Sequence, residues 1–167
     1  MSGKKKISTL FLTVVLMVAT VFSAIPVAAA PGIEAAGTVV DGSLLTTESS
    51  AQDHWTNVAR GNILAKGIAE LAHNGKGDLG ISGTTSCHVV CDTLICNLYL
   101  EQLDDNGKWY TYKYWNGQAK NQFVYDRSFT YSSAPGGHWY RLKGGHIAIK
   151  GSTVESTTTA TNGIWVP

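Results

Sequence analysis

The sequence predicts an all-β fold: an antiparallel β-sandwich of the immunoglobulin or fibronectin type, with a jelly roll or a small barrel as the alternative. Three observations predict it. Turn signals rich in Gly, Asn, Asp and Pro recur about every 8 to 12 residues. Between these turns, apolar and polar residues alternate with the two-residue period of a half-buried strand. The chain has no long helical period after its N-terminal segment, and only 15% of its residues are charged.

The first 29 residues have the three-part layout of a secretory signal peptide. Three lysines at 4–6 precede an apolar run over residues 7–25. The small residues Val27 and Ala29 then occupy the positions that a signal peptidase reads, so cleavage is expected after Ala29. An uncleaved membrane anchor is the alternative, and the run is near the lower length limit for a membrane span. We therefore expect a secreted, extracellular protein.

Removal of the signal peptide changes the charge balance. About 138 residues remain, with 10 Lys and Arg against 12 Asp and Glu, a net charge of −2. This length suits one domain with its own core. The mature chain has no basic patch, so nucleic acid is not an expected partner. It also has no second apolar run of spanning length, so we expect no membrane span in the mature form.

Two segments are expected in the mature chain. Residues 30–52 are rich in Ala, Gly, Ser and Thr and lack periodicity, which is typical of a flexible leader, with a propeptide as the alternative. The sandwich domain is expected over residues 53–167. Its first segment, Val58–Leu71, fits both a helix and a strand; we favour the strand because two internal glycines would each cost a helix about 1 kcal/mol.

The β pattern is consistent after the turn signal at Asn74–Asp78. Along residues 94–101, apolar side chains alternate with a mixed set, so one face of this strand should be apolar. Asp104–Gly107 contains Asn-Gly and indicates a hairpin turn, and Gly144–Gly145 is expected to separate two strands. The remaining strands are expected over residues 79–83, 84–90, 108–115, 123–131, 139–143, 146–150 and 163–166.

Three segments resemble a known family: ARGNILAKGIAELAHNGKGDLGISGTT (59–85), LYLEQLDDNGKWYTYKYW (98–115) and GGHWYRLKGGHIAIKGSTVESTTTATNGI (136–164). The resemblance is to an uncharacterised family of small secreted proteins of Gram-positive-type bacteria, and it covers roughly Ala59 to the C-terminus. It includes Trp139–Arg141, His146 and Glu155–Thr157. It implies export and a β-rich fold. Because the family has no assigned function, the resemblance implies no catalytic residues.

All three cysteines, Cys87, Cys91 and Cys96, lie in the stretch CHVVCDTLIC. A zinc site is disfavoured because zinc ligands usually come as two separate pairs, and no C-x-x-C redox motif is present. A structural disulfide is expected in an exported protein. Two pairings remain open: Cys87–Cys96 across a hairpin turn at Cys91–Asp92, or Cys87–Cys91 across a bend. Three buried thiols are the alternative.

Tyrosines are the candidate binding residues. On the strand 108–115, Trp109 and Trp115 are expected on one face and three tyrosines on the other, with one face at least half exposed. Exposed aromatic rows can stack on sugar rings or anchor a protein partner. The alternative is that Tyr and Trp simply suit a pleated surface. The candidate binding residues are Tyr110, Tyr112, Tyr114 and Tyr131.

No catalytic motif such as G-x-S-x-G or H-E-x-x-H occurs, so no catalytic residue, metal or cofactor is assigned. His138, His146, Asp126, Arg141 and Glu155 could form an acid–base site only if the fold brought them together.

We expect a secreted, non-catalytic extracellular module that binds a cell-envelope glycan or a surface protein. A secreted antimicrobial or interference protein is the alternative, although the net charge of −2 does not favour it. A hydrolase is the third hypothesis.

Overall fold

A computed structural model describes residues 44–57 and 63–167, which are almost entirely β-strand and contain no α-helix. The predicted signal peptide lies outside these residues, as does the predicted leader up to residue 43. Across the described ranges, no helix is long and apolar enough to cross a membrane. The strands are β1 Leu45–Thr46, β2 Ser50–Thr56, β3 Leu64–His73, β4 Leu79–Leu103, β5 Trp109–Trp115, β6 Gln118–Tyr131, β7 His138–Lys150, β8 Thr153–Ala160 and β9 Gly163–Val166. The domain boundary expected at residue 53 therefore falls inside β2.

The nine strands form one hydrogen-bonded sheet that curls into a nearly closed barrel. The main path is β1-β9-β7-β4-β3-β2, while β5 and β6 also pair with β4, and β8 pairs with β7. Among the described strands, only the short β1–β9 pair is parallel, which makes the sheet mixed. The sandwich is not confirmed, and the barrel alternative fits. The physical reason is that β4 continues through both halves of the core, so the strands do not divide into two separate sheets.

β4 organises the barrel because its 25 residues run without a break from Leu79 to Leu103. β5 and β6 lie end to end along one edge of β4, while β3 and β7 lie end to end along the other. The predicted hairpin turn is confirmed at the tip. The Asp104 carboxylate accepts N–H bonds from Asn106 and Lys108 at 2.9 and 2.7 Å, and Gly107 has a φ of 74°.

Two predicted chain reversals are wrong. Cys91 lies opposite Gln122 within the β4–β6 ladder, so no hairpin turn forms at Cys91–Asp92. Gly144 and Gly145 lie inside a continuous β7, because strands on both sides hold the backbone of β7 in the sheet. The Ser/Thr-rich segment before the last strand forms β8, as suits its β-branched threonines.

The apolar face predicted for residues 94–101 is confirmed. Leu94, Cys96, Leu98 and Leu100 are all fully buried inside the barrel. The buried residues form two clusters. The main cluster includes Cys96, Leu98 and Leu142, and the small cluster consists of Leu64, Cys87, Cys91, Leu94 and Ala148.

The barrel closes where β2 and β3 meet β8, and two carboxylates bridge this seam. The backbone N–H of Ala160 donates to Asp53 Oδ2 at 2.8 Å, and the N–H of Leu64 donates to Glu155 Oε2 at 2.7 Å. No ladder joins β2 to β8 in the described sheet. Side-chain acceptors therefore satisfy backbone donors that a fully closed barrel would pair with carbonyl groups.

Replacing Asp53 with alanine should lower the free energy of unfolding by about 1–2 kcal/mol, because the part-buried N–H of Ala160 loses its acceptor. Urea unfolding measures the change. Asp53→Asn is the matched control, since its amide oxygen can still accept the bond. Equal losses in the two variants would contradict this role for the carboxylate.

Candidate functional site

A surface groove of about 360 Å³ lies across β5, β4, β7 and β8, on the side of the sheet that faces away from the core. The alternation that buries Leu98 and Leu100 turns Asn97, Tyr99 and Glu101 outward into it. Residues of β5, β7 and β8 complete the lining of the groove, because strand pairing places them beside β4 and β7. The lining consists of Asn97, Tyr99, Glu101, Thr111, Lys143, Gly144, Gly145, Ile147, Ser156, Thr157 and Thr158. The groove therefore combines one aromatic ring with amide, hydroxyl and charged groups.

Gly145 forms the floor of this groove. It lies between Asn97 of β4 and Thr158 of β8 in the ladder. A Cβ placed on Gly145 meets only Asn97 and Tyr99, at 3.9 Å and beyond, which is ordinary van der Waals contact. The groove is therefore open above Gly145 because glycine has no side chain. The surrounding atoms would nevertheless leave room for a Cβ at this position.

Tyr99 is the aromatic side chain that lines the groove, and Tyr114 of β5 stacks beside it, outside the lining. The rings of Tyr99 and Tyr114 are nearly parallel, with their centroids 6.5 Å apart. Tyr114 is 64% exposed, so its ring face is available to solvent. Tyr114 was a predicted binding residue, whereas Tyr99 was not. The mixed character of the face that carries Tyr99 was the signal that could have identified it.

A charged group lies beneath the polar part of the groove. Arg141 Nε donates to Glu101 Oε2 at 2.7 Å, and both side chains are only 3% exposed. Lys143 Nζ lies 3.9 Å from the other oxygen of Glu101. The Arg141 guanidinium also packs over the Trp109 ring, 4.7 Å from its centroid. These contacts hold Glu101 and Lys143 in place at the groove.

The other predicted tyrosines lie elsewhere because the β4–β5 register shifts between Leu100 and Glu101, leaving Tyr112 as an extra residue. The shift places Trp109 and Trp115 on opposite faces, contrary to the prediction. Trp109 packs on Arg141, whereas Trp115 packs in the main cluster against Phe129 at 5.0 Å. Tyr114 is thereby separated from the other tyrosines of its strand.

Tyr110, Tyr112 and Tyr131 come together near Tyr140 instead. The Tyr131 hydroxyl donates to the Tyr112 oxygen at 3.4 Å, and this bond is the main cause that raises the pKa of Tyr131 to about 12. The Tyr112 ring meets the Tyr140 ring edge-on at 5.9 Å. Tyr112 and Tyr131 both pack against the main cluster. They support the core, and only Tyr110 of this group presents a largely exposed ring.

The acid–base candidates do not converge. Asp126 accepts the hydroxyl of Thr84 at 2.7 Å, Glu155 accepts the N–H of Leu64, and Arg141 binds Glu101. His138 lies beside the Tyr140 ring. Each side chain has its own structural partner, so they form no common site. In the part of the chain that the structure describes, no group of three or more His, Cys, Asp and Glu residues could hold a metal ion.

His146 lies inside the barrel between two threonines. The Thr85 hydroxyl donates to the Ile95 carbonyl at 3.0 Å, so it must accept the Nδ1–H of His146 at 2.9 Å. The other ring nitrogen, Nε2, then accepts the hydroxyl of Thr159 at 2.9 Å. These bonds satisfy a neutral ring, and burial lowers the pKa of His146 to about 4.

Two glycines make room for this ring. A Cβ on Gly67 would lie 2.5 Å from His146 Cδ2, and a Cβ on Gly144 would lie 2.6 Å from His146 Nε2. His146 is therefore a buried structural residue, fully bonded and closely packed.

The fold and the groove together define a small all-β protein: a nearly closed mixed barrel with a polar and aromatic groove on its outer face. The chain belongs to a family of unknown function, DUF6147, whose model matches residues 27–164. Neither a curated protein nor a solved structure matches it.

Proposed function

We propose that the chain is a secreted, non-catalytic module that binds a cell-envelope glycan in the groove over Gly145. The observation that carries this proposal is the composition of the groove, in which the Tyr99 ring, with Tyr114 stacked beside it, adjoins side chains able to bond hydroxyl groups. Export is supported by the signal-peptide pattern of the first 29 residues.

The groove suits a sugar because a pyranose ring has an apolar C–H face and a rim of hydroxyls. Tyrosine combines an apolar ring with a polar tip, so Tyr99 and Tyr114 suit the C–H face. Thr158, beside the glycine floor, has a hydroxyl that can donate to and accept from sugar hydroxyls, and Asn97 on the other side carries an amide NH2 that can donate. A volume of about 360 Å³ lies near the lower end of the range for small-ligand sites, about 300–1,000 Å³.

The rigidity of the site also favours binding. The lining residues of β4 and β7 stand on strands that are paired on both sides, so little ordering of this part of the groove is needed when a ligand enters. The buried Arg141–Glu101 pair fixes one end of the groove.

We expect the purified mature protein to be retained on insoluble cell-wall material or on a polysaccharide array. Gly145→Val should abolish retention, because the new side chain fills the groove while its Cβ meets no close contact. Tyr99→Ala should weaken binding about tenfold through the loss of ring stacking. The matched control is Phe123→Ala, which removes a 59% exposed aromatic ring on β6 and should leave retention unchanged.

Absence of retention on every glycan surface would overturn the proposal. Equal weakening in Tyr99→Ala and Phe123→Ala would overturn the assignment of the groove. Circular dichroism and urea unfolding of Gly145→Val show whether the fold survives. Gly144→Ala should behave differently from Gly145→Val. Its new Cβ would lie 2.5 Å from Thr159 Oγ1, so this substitution should destabilise the barrel.

A further inference from the structure

β4 contains an irregular segment between Ser86 and Cys91. Ser86 lies opposite Val124 and Cys91 lies opposite Gln122, so five steps along β4 match only two along β6. Two residues of extended strand span about 7 Å, whereas four span about 13 Å. The bulge therefore shortens the segment, so Cys87 and Cys91 lie closer together than the roughly 13 Å of a straight strand, in the direction of the Cα separation that a disulfide needs.

The two thiols meet inside the small buried cluster. Cys87 and Cys91 pack there as free thiols with Leu64, Leu94 and Ala148, and the Cys91 thiol donates to the Val89 carbonyl at 3.5 Å. Cys96 lies nine residues beyond Cys87 on the same strand and packs in the main cluster, with its Sγ close to Gly83 and Leu98. The continuity of β4 therefore removes the Cys87–Cys96 pairing that a hairpin turn would have allowed.

We propose that Cys87 and Cys91 form an intrastrand disulfide in the exported protein and that Cys96 remains a buried free thiol. The oxidant is a low-molecular-weight or protein disulfide. During folding, before the pair is buried, one cysteine thiolate attacks it and forms a mixed disulfide, and the second thiolate displaces the remaining half. The two cysteines lose two electrons and two protons, and the oxidant leaves as two thiols.

The surroundings fit a structural bridge better than a metal or a redox centre. Glu155, the carboxylate whose charge acts on Cys87, already accepts the N–H of Leu64. Burial, with a contribution from Cys91, raises the pKa of Cys87 to about 12. A thiol with so high a pKa is a poor leaving group. Reduction of the disulfide by a pathway that expels the Cys87 thiolate should therefore be slow.

The bridge closes the base of an exposed apolar protrusion. Val89 and Val90, between the two cysteines, are 41% and 53% exposed, and Phe123, which lies on β6 between the ladder residues Gln122 and Val124, is 59% exposed. A covalent link across the bulge limits the excursions of this segment in the unfolded and partly opened chain.

The test is to refold the full mature chain in glutathione disulfide and glutathione, block free thiols with iodoacetamide under denaturing conditions, and map the peptides. We expect one alkylated cysteine, Cys96, and a peptide in which Cys87 is joined to Cys91. Cys96→Ser should keep the bridge and show no alkylated cysteine. Cys91→Ser should show two alkylated cysteines and no bridge.

Three alkylated cysteines after oxidative refolding, or a bridge that includes Cys96, would overturn the proposal. This readout does not depend on glycan binding, so its failure is distinguishable from failure of the proposed function. Urea unfolding with and without reductant should show a lower midpoint for the reduced protein, while the midpoint of Cys91→Ser should not respond to reductant.

Discussion

Replacing Arg141 with methionine is expected to lower the free energy of unfolding by about 3–5 kcal/mol. The Glu101 carboxylate is buried, and the bond from Arg141 Nε is its closest ionic contact. Methionine fills much of the space of the arginine stem but leaves Glu101 charged and desolvated. Lys143, 3.9 Å from the carboxylate, compensates only in part. Urea unfolding at neutral pH measures the loss.

The matched control is the double variant Arg141→Met/Glu101→Leu, in which neither charge remains. It should recover most of the stability, because replacing both partners of a buried pair with apolar groups is often nearly neutral. If the double variant were as unstable as Arg141→Met, the loss would come from packing against Trp109 and not from the unpaired carboxylate.

Acidification should destabilise the protein through His146. The ring is neutral in the fold, with its pKa lowered by burial from 6.5 to about 4. Below pH 6.5 the unfolded chain binds a proton that the folded chain excludes, so stability falls as the pH falls. The loss ends near pH 4, where the folded state also takes up the proton. Between pH 6.5 and pH 4, His146 should lower the free energy of unfolding by about 3 kcal/mol.

His146→Gln isolates this effect. The variant should be less stable than the native chain at pH 7.5, because the fit between the two threonines is lost. Its stability should fall less steeply between pH 6.5 and 4, and the other four histidines contribute equally to both proteins. Denaturant unfolding at a series of pH values measures the two slopes. Parallel slopes would refute the role assigned to His146.

Local sequence patterns were informative where a property depends on near neighbours. The Asn-Gly turn at 104–107 forms because Gly107 adopts a positive φ that few other residues tolerate. The buried face at 94–100 follows from a two-residue period, and the last strand occupies residues 163–166 as predicted. None of these features requires knowledge of a distant segment.

Other features depended on partners far along the chain. Gly144 and Gly145 look like a strand break, yet β4 and β8 hold them in a continuous strand. The tyrosine row of β5 was disrupted by one extra residue, Tyr112, which no two-residue period reveals. Tyr99 became part of the candidate site because Gly145 of β7 lies beside it across the sheet.

The sequence was therefore sufficient to indicate an all-β chain with defined turns, a buried strand face and three closely spaced cysteines. It did not decide between a sandwich and a barrel, which tyrosine faces a groove, or which thiols meet. Those properties were decided by the unbroken course of β4, by two register shifts and by the carboxylate-bridged seam. The physical reason is that turn chemistry and periodicity act over a few residues, whereas strand register and closure are set by contacts between segments that lie far apart in the chain.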